Sequence, residues 1–173
     1  MFEIGEYVVC GNKGVCVVEE ITTLNISGVD KERAYYILKP KYLSGSTVYV
    51  PVDSSKESIR KVLEPEEARR LIDAIPDIPL LTIANEKLSE QTYRDSMKTN
   101  QCVEWVKIIK TIQLRKQKRL QAGRKVTAVD AKYVRLAEEN LYGELAVSLG
   151  MDRDKVEAFV TEEIRGKATM TEA

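Results

Sequence analysis

The chain has 173 residues, 27 Lys+Arg against 27 Asp+Glu, 43% hydrophobic and 31% charged residues, and no histidine. That is enough for one ordinary globular domain or two small ones, and it excludes Ser-His or Cys-His nucleophile pairs and histidine-containing zinc sites. No run approaches the roughly 18 apolar residues of a membrane span, and Met1-Phe2-Glu3-Ile4-Gly5-Glu6 lacks the basic and apolar regions of a secretory signal.

The first 62 residues read as strands. Tyr7-Val8-Val9-Cys10 is short and β-rich, and Gly11 to Gly14 follow as a turn. Val15-Cys16-Val17-Val18 runs on through Glu19-Glu20-Ile21-Thr22, and Ile26 to Asp30 reads as a hairpin tip. Arg33 to Leu38 is a third strand, Pro40 to Gly45 a connection, and Thr47 to Val50 a fourth strand before Pro51. Ile59-Arg60-Lys61-Val62 supplies a fifth. Short strands with turn signals and no intervening helix predict a small antiparallel barrel or sandwich. Three cysteines, Cys10, Cys16 and Cys102, match neither CxxC nor a paired metal spacing and read as core residues in a reducing compartment.

From Glu64 the period becomes helical. Pro65-Glu66-Glu67 opens a helix carrying Ala68, Leu71, Ile72 and Ile75, which Pro76 and Pro79 end. Leu88 to Met97 is a second helix, with Tyr93. Val103, Val106, Ile108, Ile109 and Ile112 give a third its apolar face, and Gly123 stops it. Thr127-Ala128-Val129-Asp130 resembles a capping box, with Asp for the usual Glu, opening a fourth helix through Leu145. Gly150 closes that helix and Asp152 caps a fifth with Val156, Phe159, Val160 and Ile164. The expected architecture is α+β: a β-barrel over 1–63, a helical domain of about five helices over 64–165, and a frayed tail over 166–173.

Charge is unevenly placed. Residues 98–125 hold nine basic residues and one acid, whereas 138–173 hold nine acids and four basic residues. A block of this kind suits phosphates, or it is a solvated face balanced by the acidic segment.

The ordered strings Phe2-Glu3-Ile4-Gly5-Glu6-Tyr7-Val8-Val9, Tyr35-Tyr36-Ile37-Leu38-Lys39, Val48-Tyr49-Val50-Pro51, Ile59-Arg60-Lys61-Val62 and Leu141-Tyr142-Gly143-Glu144-Leu145-Ala146 resemble the CarD/CdnL family of bacterial transcription regulators. The resemblance implies a Tudor-like N-terminal domain, shared with transcription-repair coupling factor, that docks on the RNA polymerase β subunit. It also implies a helical domain touching promoter DNA at the upstream edge of the bubble, which modulates open-complex stability from the cytoplasm without catalysis or a cofactor. Contacts made only in the open complex shift the closed–open equilibrium.

The family's tryptophan wedge falls at Ser89, and its arginine before Tyr93 at Thr92, with Arg94 following. Ser89 is therefore a vacated wedge position, since serine lacks the apolar surface a wedge needs. Leu88 reads as a packing leucine, with a substitute wedge as the alternative, and Trp105 as a packing residue. The family's polymerase-facing positions align with Leu24 and Tyr49. Phosphate contacts would come from Arg94, Arg115, Lys116, Lys118, Arg119, Arg124 and Lys125.

A rival reading is a polymerase-binding adaptor without productive DNA binding. An enzyme is disfavoured: Glu19-Glu20 and Glu138-Glu139 are adjacent and expected to diverge, and no phosphate loop or nucleophile motif is present. Monomer and domain-swapped dimer both stay open.

Overall fold

A computed structural model describes residues 1–11 and 13–172, apart from the side chains of residues 54, 56, 57 and 168–172. The chain separates into two units, Met1–Val62 and Leu63–Ala173. In the first, Tyr7–Cys10 (β1), Gly14–Thr23 (β2), Ala34–Pro40 (β3), Val48–Pro51 (β4) and Ile59–Lys61 (β5) form an antiparallel sheet in the order β4-β3-β2-β1-β5. Alternate positions supply its inner face: Val8, Cys10, Cys16, Val18, Tyr36, Leu38, Val50 and Ile59 form one core. Phe2 closes over that core, its ring 5.8 Å from Tyr36 and its N–H donating to the Tyr36 hydroxyl at 3.0 Å.

Two features depart from the expectation. No ladder joins β4 to β5 among the described residues, so the sheet is open, and residues 52–58 pass from one edge strand to the other through a 3₁₀ turn and the one-turn helix Ser55–Ser58 (α1). The second is a bulge in β2, where Val18 pairs with Leu38 and Glu20 with Ile37, leaving Glu19 as the extra residue. As a result Glu19 and Glu20 are both exposed between inward Val18 and half-buried Ile21, rather than diverging.

The second unit contains Pro65–Ala74 (α2), Ser89–Lys98 (α3), Cys102–Gln121 (α4), Ala128–Leu149 (α5) and Arg153–Glu172 (α6). Glu67 accepts the Glu64 N–H at 2.9 Å at the start of α2, and Thr127 accepts the Asp130 N–H at 3.1 Å at the start of α5. Gly150, at φ 65°, ends α5 in the left-handed conformation that glycine adopts without strain. α6 continues through Glu172, past residue 166 where a tail was expected; Ala173 lies outside the described residues.

Trp105, Ile108 and Ile112 of α4, Tyr93 of α3, Leu145 of α5 and Val156 of α6 are all almost fully buried. Trp105 is thus a packing residue, as its place on the apolar face of α4 predicts. The cysteines are also buried and none is in a disulfide. Burial and neighbouring Cys10 push the Cys16 thiol up to about 12, which keeps it protonated and unreactive at neutral pH.

Candidate functional site

Within the first unit, β4 is a sheet edge. Val50 points into the core at 4% exposure, which turns neighbouring Tyr49 outward at 49%. Tyr49 stands opposite Ile37, and Pro51 stands opposite Tyr35. Leu24 follows the last residue of β2 and is only half-buried. Thr23 pairs with Ala34, three residues along β3 from Ile37. Leu24, one residue further on, is therefore separated from Tyr49 by roughly 13 Å along the strands and two strand spacings, about 10 Å, across them. They do not form one contact spot. Just beyond β4, Arg33 grips Asp53 by Nε–Oδ1 at 3.0 Å and Nη2–Oδ1 at 2.8 Å, tying the start of β3 to the 3₁₀ turn. Both side chains are well exposed, so the pair orients more than it stabilises.

Residues 2–63 match the family described as the CarD-like/TRCF RID domain. The N-terminal unit is a CarD-like/TRCF RID domain. It is an RNA polymerase-interacting domain, as the sequence resemblance implies, and β4 is one of the two edge strands of its sheet. The match ends at residue 63, before α2 begins. No curated protein matches the chain.

In the helical unit the basic block divides into two classes. Lys107 pairs with Glu104 at 2.9 Å. Lys110 clasps the turn that follows α2: its ammonium donates to the carbonyls of Ile75 at 2.7 Å, Pro76 at 3.3 Å and Ile78 at 2.5 Å. Arg115, expected at the surface, is built into the fold. Its Nε donates to Asp130 at 2.8 Å and its Nη2 to Glu86 at 2.6 Å, and both bonds hold the guanidinium firmly in its charged form. Asp130 is 1% exposed and also accepts the Tyr93 hydroxyl at 2.9 Å, so one carboxylate joins α3, α4 and α5.

The second class is open. Lys116, Lys118, Arg124 and Lys125 are exposed; Arg119 is half-buried, its Nε donating to the Lys125 carbonyl at 2.8 Å across the turn that Gly123 permits. At about 100° per residue, Lys118, Arg115, Arg119 and Lys116 fall within an arc of about 160° at the end of α4. Lys116 lies close enough to α5 to lower the Glu138 carboxyl, which burial and the nearby Glu157 push up more strongly. A structural role is also served here, because cations in a last helical turn offset the dipole.

The wedge position resolves differently. Ser89 begins α3 and is 5% exposed, so it faces the interior of the helical unit and offers no outward site. Leu88, read from sequence as a packing leucine, is 52% exposed. Arg94 lies on α3, 3.5 Å from Glu90 and 3.4 Å from the Gln91 amide oxygen. Sequence reasoning missed Glu86 and the inward role of Asp130; the only signal was the Asp in the capping box, which suggested a helix start rather than a buried acceptor.

Proposed function

We propose that this chain is a CarD-like transcription regulator that docks on the RNA polymerase β subunit through its RID domain. Its helical unit then holds promoter DNA near the upstream edge of the bubble through phosphate contacts, modulating open-complex stability without catalysis. The observation that carries the reading is the RID domain itself, with its unpaired β4 edge. Proline has no N–H, so Pro51 fits the ladder best where its nitrogen faces away from β3. By alternation Tyr49 then turns its own N–H and C=O outward, toward a docking strand. Its ring, beside Ile37, supports an apolar interface where an ionic one would need charged side chains.

Lys116, Lys118, Arg119, Arg124 and Lys125 are the phosphate ligands of this reading, with Arg94 secondary because Glu90 already faces it. Such contacts give affinity without sequence preference. The exposed Leu88 takes the wedge role that Ser89 cannot. The adaptor alternative is favoured by one observation, the burial of Ser89.

The test is calorimetric titration of the full chain into core RNA polymerase, followed by open-complex lifetime. Saturable binding weakened by Tyr49→Glu supports the docking edge. A prolonged or shortened lifetime supports the regulator, and an unchanged one leaves the adaptor.

A further inference from the structure

Arg115 is held by two carboxylates that differ in what their loss would cost. Asp130 is buried and fastens the inner, Nε edge of the guanidinium; pulling it away would also strand the Tyr93 hydroxyl. Glu86 lies on the outer edge with its side chain 60% exposed, where water can replace Arg115 as its partner. The guanidinium plane is therefore fixed from within, and its outward donors are aimed at whatever anion occupies the place of the Glu86 carboxylate. That place feels more than one cation, since Arg115 and, more weakly, Arg119 hold the Glu86 carboxyl below its ordinary range. A phosphodiester oxygen suits the same fork. Lys116, Lys118 and Arg119 lie on the same arc of α4, where a duplex backbone would meet them together.

We infer that Glu86 is a built-in counter-anion of the α4 basic end, occupying an arginine site that a nucleic-acid phosphate takes by displacing it. The inference rests on the proposed DNA contact and adds its regulation: the chain's own carboxylate competes with the backbone and sets how tightly the helical unit holds DNA.

The experiment is fluorescence anisotropy of a labelled random-sequence duplex with the full chain at low salt, beside arginine-labelled NMR. Glu86→Gln should tighten binding about fivefold, the worth of one exposed charge pair. Glu139→Gln makes the same charge change on α5, where the carboxylate pairs with Arg135, and should stay within about twofold of the wild type. The Nε–H resonance of Arg115 should move with the duplex titration in the Glu86→Gln protein. Equal tightening by both glutamines, or an unmoved Arg115 resonance, overturns the competition. Measurable binding that Glu86→Gln leaves unchanged also overturns it, while the DNA contact stands. No binding by any of the three proteins overturns both.

Discussion

Replacing Asp130 by asparagine tests whether the helical unit is organised around one buried carboxylate. The substitution keeps the shape but removes the charge that faces Arg115, and it can set an amide donor against a guanidinium donor. Breaking one side of a fully buried ion pair costs about 3–5 kcal/mol. Arg115 is 21% exposed and retains Glu86, so solvent screens part of the loss, and about 2–3 kcal/mol is expected. At about 3 °C per kcal/mol for a chain of this size, the helical transition should fall by roughly 6–9 °C. Trp105 is the single tryptophan, fully buried in that unit, so its fluorescence follows this transition alone. Tyr93→Phe, which removes one hydrogen bond to the same carboxylate, should cost about 1.5 kcal/mol. It should also change the alkaline limb. Burial and Asp130 raise the Tyr93 hydroxyl, so above about pH 10 the unfolded tyrosine ionises first and wild-type stability falls. The phenylalanine variant should lose part of that fall, the remainder belonging to the similarly raised Tyr142. An Asp130→Asn protein within about 0.5 kcal/mol of the wild type would show that the network binds α3, α4 and α5 no better than water does.

Three further outcomes are expected. Reversing Lys116, Lys118, Arg124 and Lys125 to Glu should abolish duplex binding in anisotropy while calorimetric docking on polymerase is retained; surviving DNA binding would move the interface off α4. Glu138→Gln should raise stability at neutral pH by roughly 0.5 kcal/mol, kept small by solvent. The sign follows from the raised folded-state value: the unfolded carboxyl ionises first, so stability falls as pH rises from the unfolded value, about 4.3, through the folded one, and the gain should vanish in denaturant melts below about pH 4. Ser89→Trp should overpack a buried position and destabilise the unit by about 1–3 kcal/mol in the Trp-independent circular dichroism melt, whereas Leu88→Trp should be tolerated and lengthen open-complex lifetime.

The strands and helices were legible because their apolar positions repeat at two and at about 3.6, and Gly123 and Gly150 punctuate them where a left-handed residue is required. The bulge at Glu19 was not legible, because an alternation broken by two glutamates looks the same as a strand reaching solvent. Barrel closure was overread: strand count does not say whether the last strand finds the first edge. Among the basic residues, sequence could sum the charge but not divide it. Lys110 and Arg115 look like their neighbours along α4, and only the carbonyls of residues 75–78 and the carboxylate of Asp130, distant in sequence, give them internal work. Ser89 stands at the helix start that the sequence pattern suggested, yet the side of the helix it occupies depends on packing that no local string specifies.

Leu63 carries a consequence for how this protein can be divided. Its N–H donates at 2.9 Å to Glu144, a carboxylate with no solvent exposure that also accepts from the Cys102 thiol at 3.0 Å, and its carbonyl accepts from Ser148 at 2.6 Å. A helical fragment begun at Glu64, the boundary that the change of period suggests, would withdraw a donor from a carboxylate that water cannot reach. A fragment begun a few residues earlier, within β5, would keep the amide and both bonds. The first residue of the helical half is thus fastened as a rung of α5, and a practical cut between the two halves must leave Leu63, with the peptide bond before it, on the helical side.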